Sequence, residues 1–200
     1  MKHAVVFGLV LILAQSLISA PLVFVREDGN DSSNGLSWAE AKATIPAALN
    51  IADAGGEVRV SNGTYIVTAP ITVATNVWLH SVNGPELTTL DAANATNALI
   101  YVNHADATVA GFTFKNVKCG PNRANAALYL SVGTVTNCII RDNTANKVSP
   151  VYVTGGLLID SVMTNNLANA GYNNGIAGLH ITSGTVRHCR IVKNTSNNRS

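Results

Sequence analysis

Asp160 and His188 come nearest, in type and spacing, to residues that could do chemistry in this chain. They hold the same place in two successive copies of a repeat, and Asn137 holds it in the copy before. On adjacent coils a carboxylate and an imidazole can hydrogen-bond. A polar ladder along a turn accounts for the same pattern, and two ligands are too few for a metal centre. Hydrolysis of a glycosidic bond needs two or three closely placed carboxylates, and no Asp-Asp pair occurs anywhere in the sequence. Asp142 aligns with Asn116, Asn165 and Lys193, and Asp160 with Gly111, Asn137 and His188. The catalytic residues are therefore unknown, and neither a metal nor a cofactor is expected.

A second set is aromatic. Tyr101, Tyr129, Tyr152 and His180 each centre an apolar triplet (Ile100-Tyr101-Val102, Leu128-Tyr129-Leu130, Val151-Tyr152-Val153, Leu179-His180-Ile181), at steps of 28, 23 and 28 residues. Alternation turns the flanking aliphatics to one side and the ring to the other. On stacked strands the rings would recur every ~4.8 Å, a strip on which sugar rings could stack. Ordinary cross-strand stabilisation is the alternative. These four are the candidate binding residues.

The elements that must position them come from the repeat. Val135–Asn143 (VTNCIIRDN) returns at Leu158–Asn166 (LIDSVMTNN) and Val186–Asn194 (VRHCRIVKN), steps of 23 and 28 residues, and Val109–Asn116 is a fainter earlier copy. Irregular periods in the twenties with short strands and Asn/Gly turns specify a solenoid whose units bury their apolar side against neighbours. The inward positions are Val135, Cys138 and Ile140; Leu158, Ser161 and Met163; Val186, Cys189 and Ile191. Two strands and a third, less regular segment per turn point to an all-β fold, a right-handed parallel β-helix solenoid. Asn143, Asn166 and Asn194 fall at one position, where stacked amides can bond along the column and take left-handed turns. Cys138 and Cys189, two coils apart, would sit ~10 Å from one another, beyond disulfide reach. A Cys119–Cys138 bridge stays open.

Upstream, Leu22–Val25 reads as a strand. Ser37-x-x-Glu40 is a capping box that starts a helix at Trp38, and Gly55-Gly56 ends it. Pro46 should kink this segment or divide it into two short helical pieces near Thr44. The expectation is a short N-terminal capping helix that covers the open end of the strand stack. From Glu57 onward the chain reads as strand and turn.

The stretch Asp28–Asp31, Ser37-Trp38-Ala39-x-Ala41, Ile45-x-Ala47-Ala48 and Gly56-x-Val58-x-Val60-x-Asn62-Gly63-Thr64-Tyr65 resembles the first coil of secreted right-handed β-helix proteins. The units at Gly111–Asn116 and Val135–Asn143 resemble repeats of the pectate-lyase-like superfamily and of polymorphic outer-membrane proteins. The resemblance implies the fold over nearly the whole mature chain and leaves activity open, since the fold hosts lyases, hydrolases, adhesins and stalks. Lyase chemistry of that family would need a carboxylate cluster for calcium and an Arg or Lys base, and the aligned repeats supply no such cluster.

Residues 1–20 read as a signal peptide: Lys2 and His3 precede an apolar run, Ala4 to Leu13, too short to span a bilayer comfortably. Cleavage after Ala20 and at the small-x-small Ala14-Gln15-Ser16 both remain open, as does an uncleaved anchor. Residues 21–56 hold the first strand and helix, and 57–200 the coils. A net charge of +2 with scattered basic residues argues against nucleic acid. Four Asn-x-Ser/Thr matches (at Asn30, Asn62, Asn94 and Asn194) are what any Asn/Thr-rich chain produces. No closing segment follows Asn194, so either a partner covers the bare end or, as is favoured here, the array is incomplete at its carboxyl end, with membrane attachment expected only through an anchor beyond it. The functional expectation is a secreted or cell-surface module binding a polysaccharide or cell-surface glycan. The alternative is a polysaccharide lyase or glycoside hydrolase with its catalytic residues in later coils.

Overall fold

The computed structural model describes residues 21–96, 98–119, 126–146, 149–169 and 176–197. The expected signal peptide, 1–20, lies outside these, as does the side chain of Cys119. Among the described residues twenty-two short strands stack entirely in parallel into four walls. The first wall has seven: Leu22–Val25, Gly56–Val60, Val77–Ser81, Thr108–Ala110, Thr134–Thr136, Leu157–Ile159 and Thr185–Arg187. The second has six, from Gly63–Ile66 and Thr88–Asp91 through Thr113–Lys115, Ile139–Arg141 and Val162–Thr164 to Arg190–Val192. A third, of four, runs from Lys118–Cys119 to Thr195–Asn197, and a fourth, of five, from Ile71–Val73 to Leu179–Ile181. The molecule is a parallel β-solenoid of about five turns.

The nine-residue repeat turns out to be two strands meeting at a corner. Val135 and Ile140 both point inward, but Asn137 between them has φ of 49° and breaks the strand. Asp160 and His188 repeat that corner with φ of 50° and 52°. The next corner falls at Asn116, Asp142, Asn165 and Lys193, all between 52° and 60°. Asn and Asp tolerate the left-handed region because their short polar side chains bond locally, which is why the chain uses them here. The left-handed residue is thus the one before Asn143 and Asn166, a correction to the expectation that the stacked asparagines themselves take that conformation.

Those asparagines form a buried ladder instead. Asn143 and Asn166 are buried, and their amides bond upward and downward. Asn143 Nδ2 donates to Asn166 Oδ1 (3.0 Å), and Asn166 Nδ2 donates to Asn194 Oδ1 (2.9 Å). Main-chain N–H groups of Val117, Asn143 and Asn166 donate to the next asparagine's Oδ1 at 2.9–3.1 Å. A buried amide pays desolvation unless all its groups are matched, and one residue per coil meets this requirement.

The lumen is filled by aliphatic and aromatic columns. Val109, Val135 and Leu158 are in register on the first wall, and Phe114, Ile140 and Met163 on the second, all fully buried. Cys138 and Ser161 fill the corner between them. The Ser161 hydroxyl accepts from the Cys138 N–H at 3.1 Å, and burial pushes the Cys138 thiol up to about 12, so it stays neutral. Cys138 and Cys189 are both free thiols. Their counterparts in the last described coil, Val186, Cys189 and Ile191, lie at the edge of the described stack and are correspondingly open. Gly133, Gly156 and Gly184 form the corner into the first wall, with φ of 87°, 73° and 93°. A Cβ on Gly156 would meet the Gly133 carbonyl oxygen at 2.5 Å, so stacked tight turns require glycine there.

The helix differs most from expectation. It covers only Ile45–Leu49, with Thr44 as N-cap and Pro46 in its first turn. Ser37 and Glu40 do form a turn, since the Ser37 hydroxyl accepts from the Glu40 N–H at 3.2 Å, but no helix follows it. Asp31 fixes the later start, its carboxylate accepting from the Ala43 and Thr44 N–H groups and from the Thr44 hydroxyl. A proline is tolerated in a first turn and not mid-helix, so Pro46 opens the helix rather than kinking it. Among the described residues no helix is long and apolar enough to cross a membrane.

Candidate functional site

The fourth wall assembles the aromatic column as a continuous stack. Tyr101, Tyr129, Tyr152 and His180 pair in register on four successive strands. Ring centroids lie 4.9 Å apart for Tyr101–Tyr129, 5.5 Å for Tyr129–Tyr152 and 4.7 Å for Tyr152–His180. The rings point away from the lumen, but the column is not an open strip. Tyr152 is only 3 % exposed, whereas Tyr101, Tyr129 and His180 are half-buried. Tyr129 and Tyr152 lie within 28° of parallel, and Tyr152 and His180 within 19°. Their faces are turned to one another, so solvent meets mostly ring edges. Tyr101, at 76° to Tyr129, is the exception.

The Asp160–His188 pair forms, with Oδ1 and Nδ1 3.3 Å apart, but the side chains are 56 % and 71 % exposed. Water and salt screen a contact of this kind, and it closes a corner rather than a cleft. Asp142 is held by Arg141 and accepts a hydrogen bond from Asn165 Nδ2 on the next coil.

A better-buried carboxylate lies where no repeat was visible. Asp91 ends a second-wall strand in register with Lys115, which is in register with Arg141. Its carboxylate accepts from the Ala93 N–H (2.8 Å) and from Asn116 Nδ2 (2.9 and 3.0 Å), and Lys115 Nζ is 3.3 Å away. Burial pushes the Asp91 carboxyl up, but these bonds and the lysine's charge outweigh it and hold it below its ordinary value. Asp91 and Asp142 sit two coils apart, each matched by its own cation. Among the described residues no three His, Cys, Asp or Glu come together closely enough to hold a metal ion.

The first wall carries a cluster that the sequence left unmarked. Glu57 and Trp78 are in register on adjacent strands, as are Arg59 and His80. Glu57 Oε1 accepts from Arg59 Nε (2.5 Å) and lies 2.7 Å from His80 Nε2. Burial raises the Glu57 carboxyl, yet the hydrogen bonds and charges of Arg59 and His80 bring it below the usual range. Trp78 stacks on His80 at 4.0 Å and 17°. These residues stand in the early coils, where the nine-residue pattern is absent, so alignment of repeats could not find them. The alternation Val77-Trp78-Leu79-His80, which puts Trp78 and His80 on the side away from the buried Val77 and Leu79, was the signal available in the sequence.

A half-open pocket of about 350 Å³ lies beside the helix, between Pro46, Tyr65, Ile66 and Ile71, with Glu27 as its charged member. The Tyr65 hydroxyl is turned away into bonds with Ser61.

No known family model matches the chain, and no curated protein matches it. Solved structures do. The pectate lyase Pel9A superposes with a TM-score of 0.61 at 17 % identity, covering 88 % of this chain and 48 % of its own. A pectin methylesterase from Erwinia chrysanthemi aligns at 14 % identity with a TM-score of 0.41, covering 84 % of this chain and 80 % of its own. The chain spans about half the length of the pectate lyase. At this identity the likeness concerns architecture, and what it establishes is that the chain shares the parallel β-helix fold of that lyase.

Proposed function

We propose that this protein is an exported, extracellular or cell-surface β-helix module that binds a polysaccharide along the outside of its fourth wall. The observation that carries the reading is the in-register column of Tyr101, Tyr129, Tyr152 and His180. An extended chain lying along the stack meets the half-buried rings of Tyr101, Tyr129 and His180, and the phenolic edges of Tyr101 and Tyr129 offer both apolar C–H and a hydroxyl. Tyr152, closed between its neighbours, holds the spacing rather than touching ligand. The fold shared with a pectate lyase supports a carbohydrate-related role, and secretion fits residues 1–20.

The test is a glycan array followed by calorimetry on the wild type, Tyr129→Ala and Tyr101→Ala. Loss of one contacting ring should weaken binding by about 1–2 kcal/mol with the fold intact. Equal affinity in both variants would reduce the column to scaffolding. Release of unsaturated or hydrolysed sugar in the same samples would favour an enzyme instead.

A further inference from the structure

Both tryptophans of this chain lie on one face, the outside of the first wall at its amino-terminal coils. Trp78 is 48 % exposed and Trp38 is 37 % exposed. Trp38 packs on Phe24 (centroids 4.6 Å, 58°), and Trp78 on His80. Phe24, Arg59 and His80 are directly in register on three adjacent strands, so Phe24 and His80 are about 10 Å apart. Phe24 and His80, each in contact with an indole, therefore flank Arg59, and Trp78 stands beside Glu57. Beyond this row, Trp38 shares an open recess of about 520 Å³ with Arg26, Ser61, Asn62, Val82 and Asn83. Asn83 Nδ2 donates to Asn62 Oδ1 at 2.9 Å.

We propose that this face is a second carbohydrate site, distinct from the tyrosine column, for a neutral β-linked hexopyranose chain. Large exposed aromatics are costly to leave in water and mark interaction surfaces. An indole is a flat apolar plate with an electron-rich face, suited to the axial C–H groups of a pyranose whose hydroxyls are equatorial. Between the plates the polar groups are already matched in charge. Glu57 faces both Arg59 and His80, and Arg26 in the recess is paired with Asp28, which leaves Arg59 donors and carboxylate lone pairs for hydroxyls and no unpaired arginine among the described residues of this face to demand an anionic sugar. Tyrosines 129 and 152 present mostly edges because they repeat in register; the tryptophans do not repeat, and Trp78 has Thr108 rather than a ring beside it on the next strand.

The placement makes the test direct, because tryptophan emission reports this face and not the fourth wall. Full-length protein is titrated with cellohexaose, with maltohexaose and polygalacturonate alongside. The expected result is a saturable change in tryptophan emission with cellohexaose and a much smaller one with the other two. Trp78→Ala should weaken binding of cellohexaose, measured by calorimetry, about tenfold. Trp78→Phe should restore most of it, and the change in tryptophan emission with cellohexaose, which the fourth wall does not report, should persist in Tyr129→Ala. Trp78 is outside the core, so circular dichroism of Trp78→Ala should match the wild type. Absence of an emission change with cellohexaose, equal affinity in Trp78→Ala, or a response to polygalacturonate in its place overturns the proposal. Loss of cellohexaose binding in Tyr129→Ala alone would overturn it too and assign the ligand to the tyrosine column.

Discussion

The outer faces of the fourth and first walls both carry aromatic rings and use them in opposite ways. On the fourth wall, Tyr129, Tyr152 and His180 recur at the same register, and each ring's face is covered by the next. On the first wall, Trp78 is followed in register by Thr108, and its indole remains half open. Repetition in a solenoid makes columns that satisfy themselves, polar as well as aromatic: the Asn143–Asn166–Asn194 ladder is the buried counterpart of the tyrosine column. A residue that breaks the repeat keeps its surface for something else. Repetition, in this molecule, turns ring faces to one another and leaves edges to solvent, and departure from it leaves part of a ring face open.

The comparison can be broken most forcefully at Tyr152. Because the ring is closed between two others, Tyr152→Ala should destabilise by about 3–5 kcal/mol, a Tm fall on the order of 10 °C, although the residue points away from the lumen. A thermal melt indistinguishable from the wild type would mean that the column is not self-supporting. The ladder should respond nearly as strongly. Asn166→Ala strands the Asn143 N–H, leaves Asn143 Nδ2 only the Phe114 and Arg141 carbonyls, and removes the donor to the Ile140 carbonyl and Asn194. Buried groups without partners make this a loss of about 2–3 kcal/mol by denaturant titration.

Acid should act next, through carboxylates outside the repeat. Glu57 and Asp91 both sit below their ordinary values of 4.5 and 3.8 in the folded protein. Each therefore contributes stability that is complete above those values and lost as pH falls through the depressed folded ones. Urea midpoints should be flat from pH 7 to 5 and decline below about pH 4, and Glu57→Gln should flatten part of the decline. A midpoint that rises on acidification would contradict the pairing of Glu57 with Arg59 and His80. The smallest effect belongs to Trp78. Trp78→Ala should change stability by less than about 0.5 kcal/mol, as for an exposed residue outside the core. A fall like that of Tyr152→Ala would make Trp78 scaffolding as well.

What the amino-acid sequence determined by itself was the stack and its register. The columns Val135–Leu158–Val186, Tyr101–Tyr129–Tyr152–His180 and Asn143–Asn166–Asn194 are fixed by spacing alone, because a parallel β-solenoid places equivalent positions of successive repeats side by side. Corners were less legible. Val135–Asn143 looks like one strand until Asn137 turns left-handed, a conformation that Asn permits without announcing. The Ser37–Glu40 capping signal misled about the helix because Asp31, six residues upstream, binds the Ala43 and Thr44 N–H groups and moves the start to Thr44. Only the tertiary structure decided which outward rings remain open. Alternation tells which side of a strand a residue occupies, but exposure depends on what stands on the neighbouring strands. Tyr152 has a ring on each side, and Trp78 does not. The same reason brings Glu57, Arg59 and His80 together with Trp78: they are separated in the chain by a full coil and joined only when the second and third strands of the first wall pair.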